Sequence, residues 1–180
     1  MDRETSEEID QPLYDRVDYP GLGAYELRFF HVPVGGTATL IRAGAAAAVV
    51  KTRRDTNMEQ EAVIPAKRFR MRGVEIVYLP PITDPDRQWE ILRSGGVLHL
   101  DFAVEPDNWR RYLDLPLHRV PILDDLVDAR TCLRSYNLAV PLFVDPYIGL
   151  RAQMLFDGSP RLPYDCDIQL FLCGTMRMRR

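Results

Sequence analysis

Apolar and polar residues alternate along much of this chain with a period of two, the spacing of a strand that buries one face. The clearest case is Lys67 to Leu79, where Phe69, Met71, Val74, Ile76 and Tyr78 stand between Arg68, Arg70, Arg72, Glu75 and Val77. Its phase slips at Gly73, as it does where a β-bulge interrupts a strand. Val97 to Val104 alternates as well, with Leu98, Leu100 and Phe102 between His99, Asp101 and Ala103. Runs rich in β-branched and aromatic residues predict strands at Tyr25 to Val34, Thr37 to Arg42, Trp109 to Leu113, Tyr136 to Val144, Leu150 to Phe156 and Cys166 to Met176. Ala45 to Val50 stays open between helix, which the alanines favour, and strand, which Val49 and Val50 favour.

Turn chemistry separates these runs. Tyr19-Pro20-Gly21-Leu22-Gly23 reads as a hinge, Gly35-Gly36 ends the first strand, and Asp145-Pro146 and Asp157-Gly158 punctuate the last three. Asp84 can cap a short helix with Pro85 in its first position, running through Trp89, Ile91 and Leu92 to Gly95-Gly96. Ile122 to Arg130 has room for one or two further helical turns. About eight short strands, with 14 prolines and 11 glycines at their ends, predict an all-β, jelly-roll-like two-sheet sandwich with one or two short helices. A parallel α/β fold would need recurring crossover helices, and no repeat suggests a solenoid or propeller. The expected core is Phe69, Met71, Leu98, Leu100, Phe102, Leu155, Leu170 and Leu172.

A length of 180 residues suits one domain, and 46% hydrophobic with 27% charged residues is a globular composition. The formal net charge of −3 gives no basic stripe of the kind a dedicated nucleic-acid binder carries, so no specific nucleic-acid partner is expected. Neither a charged and apolar leader nor a run near the roughly 20 apolar residues of a membrane span is present, so synthesis in a cytosol-like compartment is expected. The charges are unevenly placed. Residues 1 to 18 carry Asp2, Glu4, Glu7, Glu8, Asp10, Asp15 and Asp18 against Arg3 and Arg16, while the other end carries Arg177, Arg179 and Arg180. This predicts an acidic amino-terminal arm over residues 1–20 ahead of a sandwich domain over 21–180. The arm meets the basic end of a neighbouring copy, or both ends are solvated tails.

Candidate chemistry is sparse. His31, His99 and His118 fall on separate predicted elements without a His-x-His pair, which weakens a jelly-roll metalloenzyme. Ser94 and Ser159 lack the frame of a nucleophile elbow, and Gly21-Leu22-Gly23 and Gly35-Gly36 do not form phosphate loops. Asp124-Asp125 and the pair Asp165 and Asp167 lack the spacing of a calcium loop. Cys132, Cys166 and Cys173 are odd in number with no C-x-x-C, so free thiols are expected rather than a disulfide framework or zinc site. No catalytic residue, cofactor or metal ligand is assigned, and the chain is not expected to be an enzyme. Arg68, Arg70 and Arg72 project from one strand face; they grip a phosphate, a lipid headgroup at a membrane surface or the acidic arm of a neighbour, or they are a solvated face.

Four stretches together resemble single jelly-roll capsid and virion structural proteins of icosahedral phages. They are Asp55-Thr56-Asn57-Met58 ahead of Ile64-Pro65 and Phe69 to Val74, then Val97 to Phe102, Tyr112 to Pro121, and Val140 to Phe156. In the last, Val140-Pro141-Leu142-Phe143-Val144-Asp145-Pro146 and Leu150-Arg151-Ala152-Gln153-Met154 look like the strand, proline turn and Arg-bearing strand of such shell proteins. The resemblance spans roughly residues 24 to 176. It implies a shell, vertex or decoration subunit, made in the host cytoplasm, whose partners are copies of itself and other virion proteins. The contacts expected for it are Asp2, Glu4, Glu7, Glu8, Asp10, Arg68, Arg70, Arg72, Arg177, Arg179 and Arg180. Two other classes compete: a carbohydrate- or ligand-binding sandwich using Trp89, Trp109, Tyr112 or Tyr147, and a jelly-roll enzyme.

Overall fold

The computed structural model describes residues 7–42, 45–61, 64, 67–79, 94–105, 108–120, 132–156 and 165–178. Within them the strands are β1 (Glu7–Asp10), β2 (Leu13–Pro20), β3 (Glu26–Phe29), β4 (Thr37–Arg42), β5 (Ala45–Val50), β6 (Arg68–Leu79), β7 (Val97–Glu105), β8 (Asn108–Pro116), β9 (Cys132–Val144), β10 (Leu150–Leu155) and β11 (Asp165–Met178). Two 3-10 turns, Gly21–Gly23 and Leu117–Arg119, are the helical elements among the described residues. The expected helices at Asp84 to Leu92 and Ile122 to Arg130, and the Asp157-Gly158 turn, lie outside those residues.

All strand pairs are antiparallel. One sheet runs β2, β11, β6, β9, with β1 also on β11; the other runs β3, β10, β7, β8; β4 and β5 form a separate hairpin. Leaving out β1 and the hairpin, the eight remaining strands order themselves first, eighth, third, sixth and second, seventh, fourth, fifth, which is the weave of a jelly roll. The core lies between these sheets. Phe69, Met71, Leu98, Leu100, Phe102, Leu170 and Leu172 are buried there as expected, joined by Leu13, Tyr19, Phe29, Phe30 and Phe156. Tyr19 and Phe156 meet edge to face, with ring centroids 5.6 Å apart.

Three expectations are corrected. Leu155 is half-buried, because the inward phase of β10 runs through Leu150, Ala152 and Met154 to Phe156. Arg151 and Gln153 mark the outward phase of that strand, and Leu155 continues it. The strand expected at Tyr25 to Val34 stops at Phe29, since Phe30 takes a left-handed backbone with φ of 67°. Most consequentially, residues 7–20 are not an arm off the sandwich: β1 pairs with Thr175 to Met178 of β11, and β2 with Asp165 to Leu172. Leu13, Asp15, Val17 and Tyr19 share the inward face of β2, so a period-two pattern exists there, masked by charge at an inward position. Ala45 to Val50 resolves as strand.

The slip at Gly73 is real. Across β6 and β11, Cys173 faces Gly73 but Gly174 faces Met71, a bulge that brings two backbones close. A Cβ at Gly174 would run into the carbonyl oxygen of Arg70, and one at Gly73 would stand 2.7 Å from that of Tyr136. Gly174→Ala should therefore cost about 1–3 kcal/mol, as overpacking does. Gly23→Ala, where a Cβ meets nothing within 4 Å, should leave the thermal midpoint unchanged. Equal midpoints for the two variants would show that the bulge is not a close backbone approach.

Candidate functional site

Between β2 and the hairpin lies a corner of buried charge. Lys51, directly after β5, is 2% exposed and reaches Asp15, which is 0% exposed, at 2.6 Å. The other oxygen of Asp15 accepts the Phe30 N–H at 2.6 Å. Burial pushes the Asp15 carboxyl above its ordinary value and outweighs the opposing pull of Lys51 and of these hydrogen bonds. On the opposite face of the same sheet, Arg16 donates from Nε to Asp167 at 2.7 Å, and the second oxygen of Asp167 accepts the Ile41 N–H at 3.0 Å. Asp55 lies 3.9 Å from Arg16 and accepts both the N–H and the hydroxyl of Thr52 at 3.0 Å. These bonds fix the hairpin to the sheet, and the group is structural.

The candidate site is at the far edge of the sandwich, where β8 and β9 end their sheets. Met71 pairs with Leu142 and Gly73 with Asn137, so residues 138 to 141 stand opposite Arg72 alone. The excess chain bows outward: Val140 is 72% exposed while Leu138 and Leu142 pack on the core. Pro141 suits an edge strand because it offers no N–H to a ladder. Beyond the bow, Phe143 is 68% exposed, with the Arg70 guanidinium 5.5 Å from its ring centre.

Phe143 forms one lip of a cleft of about 200 Å³ whose walls include Phe102, Tyr112, Leu142 and Ile148. Phe102 and Tyr112 meet edge to face at 5.4 Å. Backbone bonds hold the third wall: Ile64 donates to the Ile148 carbonyl at 2.9 Å, Tyr147 donates to that of Ile64 at 3.2 Å, and Ala103 donates to that of Gly149 at 2.9 Å. Tyr147, left-handed with φ of 62°, projects 67% exposed beside it. The carboxylate at the rim, Asp145, is taken by Arg68 at 2.8 Å. Such a surface accepts apolar side chains; it presents no poised acid, base or nucleophile.

The other sequence candidates divide. Arg68 and Arg72 are exposed and Arg70 is half-buried, so the three do line one strand face, continued by Arg177 opposite Arg68. Glu8 stands opposite Arg177 and Asp10 opposite Thr175 on the same sheet. The acidic and basic ends thus meet within one chain there, which corrects the expectation of a meeting only between copies. Asp2, Glu4, Arg179 and Arg180 lie outside the described residues, as does Trp89, and Glu7 is placed only by its backbone. Trp109 carries Arg151 on its ring at 4.2 Å and packs on Gly149, so that face is not open to a sugar. His31 bonds Glu61 at 2.9 Å, His99 lies 3.4 Å from Asp114, and His118 is exposed on its own. Among the described residues no group of three or more His, Cys, Asp or Glu is placed to hold a metal ion, and no helix is long and apolar enough to cross a membrane. Cys173 is a free thiol pushed up to about 12, by burial first and then by Glu75, which makes it a poor nucleophile; Cys166 is buried, and the Cys132 side chain is outside the description.

Two outcomes follow from the charged corner. Lys51→Met leaves the Asp15 carboxylate buried without its cation and should cost about 3–5 kcal/mol in urea unfolding. Adding Asp15→Asn, which keeps an acceptor for Phe30, should recover part of the loss; no recovery would show that the charge of Asp15 is not what Lys51 offsets. Asp18, directly across from Asp167, is pushed up to about 6 by burial and then by Asp165 and Asp167. An unfolded chain releases this proton near 3.8, so the folded state holds more protons between the two values and stability falls as pH rises through that window. Asp18→Asn should raise the thermal midpoint at pH 7 and leave it unchanged below pH 4, and a gain of equal size at both would refute the shift.

No protein-family model matches the chain, and no curated protein matches it either.

Proposed function

We propose that this protein is a virion structural protein, a shell, vertex or decoration subunit that acts without catalysis by associating with copies of itself and with other virion proteins. The observation that carries this is the apolar open edge. Phe143 and Tyr112, 68% and 46% exposed, line one cleft, and Val140 and Tyr147, 72% and 67% exposed, lie on β9 and in the turn that follows it. A solitary soluble domain rarely leaves such side chains clustered, and a rim of arginine around aromatic anchors is the composition of a protein interface. The jelly-roll weave supports the same reading, since shells are among its commonest uses; lectins and enzymes share it, so the edge and not the fold makes the choice.

Phe143 is the most direct handle, because its side chain is exposed and its truncation opens no cavity. In sedimentation and light scattering the full chain should exceed its 20.7 kDa monomer mass, and Phe143→Asp should shift it towards that mass. The thermal midpoint of the variant should stay close to that of the parent, as for a surface change of about 0.5 kcal/mol or less. A parent that stays monomeric, or a variant that assembles as well as the parent, contradicts this function.

A further inference from the structure

The hairpin leaves β5 with an unpaired ladder edge among the described residues, since its partner in every recorded pair is β4. Ala45 to Ala48 and Val50 are exposed and Val49 is half-buried, so the edge is six residues long with no charge, proline or bulge. Natural sheets blunt exposed edges with those features, and an edge lacking them is a template for another strand. At the carboxyl end of β5 this edge opens into a cleft of about 700 Å³ lined by Val49, Val50, Thr52, the guanidinium-bearing Arg53 and Arg54, and Arg16, whose charge is already taken by Asp167. The carboxylate on its wall, Asp55, is already held by Thr52. Glu59 touches Arg53 at 3.3 Å, but both are over 70% exposed, and such surface pairs contribute little.

We propose that β5 and this cationic cleft accept the acidic amino-terminal residues 1–6 of a second copy as an added strand. Charge complementarity selects the occupant. Residues 1–6 carry Asp2 and Glu4 against Arg3, one acid in excess, whereas β5 itself is uncharged and would gain nothing electrostatic from another β5. Backbone pairing along the alanines supplies attachment, and the arginines fix register through charge-assisted contacts. This rests on the self-association proposed above and adds to it a donor segment and an acceptor edge on different copies. The acidic segment reaches a neighbour through these first residues, while residues 7–20 hold it to its own sandwich.

A charge swap between full-length chains tests this. Asp2→Lys with Glu4→Lys puts a basic donor against a basic cleft; Arg53→Glu with Arg54→Glu puts an acidic donor against an acidic cleft. Each alone should weaken association by roughly tenfold or more in sedimentation velocity, because like charges face each other. Mixing the two at equal concentration should restore it to near the parent's strength, since each donor then finds an opposite cleft on the other copy. Ala46→Glu with Ala48→Glu, two exposed positions on β5, should weaken it as well and should not be rescued by the Arg53→Glu, Arg54→Glu variant, because both acceptors are then impaired. A mixture no stronger than its separate components overturns the proposal, and so does undiminished association of the β5 variant; in both cases an assembling parent leaves the self-association reading standing. A parent monomeric at every concentration overturns that reading and this one together.

Discussion

The pairing of Lys51 with Asp15 is the interaction on which the rest of this molecule depends. One carboxylate, fully buried on the inner face of β2, binds the ammonium at the root of β5 and the backbone N–H of Phe30 at the end of β3. Three segments distant in sequence are thereby locked at one point of the first sheet. Burying a charge pair is not in itself a source of stability, because desolvation offsets much of the attraction. Its effect is one of placement: an unmatched charge there would be costly, so alternative seatings of the hairpin are excluded. Arg16, Asp167 and Ile41 repeat the device on the other face of the sheet.

With the hairpin fixed, the molecule has two unlike edges. Along the bow of β9 the surface is apolar and aromatic, shaped by the excess residues of β9 that stand away from β6. Along β5 it is backbone and alanine, leading into arginine. The first suits packing against side chains of a partner and the second suits strand addition, so a subunit carrying both can contact neighbours on two sides. Contacts on two sides are the geometric minimum for an extended assembly, or a closed one larger than a dimer, of identical copies.

The legible parts of the fold were those where local pattern and tertiary environment agree. Alternation in β6 and β7 placed Phe69, Met71, Leu98 and Leu100 in the core, and Gly73 announced its own bulge because no side chain fits against the Tyr136 carbonyl. β2 was hidden for the opposite reason. Its inward residues include Asp15, and a charge at a core position is acceptable only when a cation 36 residues away arrives to meet it. Nothing local in Lys51 signals that it will be buried. The site was half-legible: the run Val140 to Val144 reads as strand, but its exposure depends on a register against β6 that no short window contains. That Glu8 stands opposite Arg177 within one chain required knowing that β1 lies on β11.

Electron microscopy of the purified full-length protein tests the central claim most directly, since it sees assembly without assuming which edge forms it. A shell, vertex or decoration subunit should give rings, lattices or closed particles built from regularly repeated copies. A field of separate particles of the 20.7 kDa chain, unchanged as the concentration is raised, would contradict a structural, self-associating role.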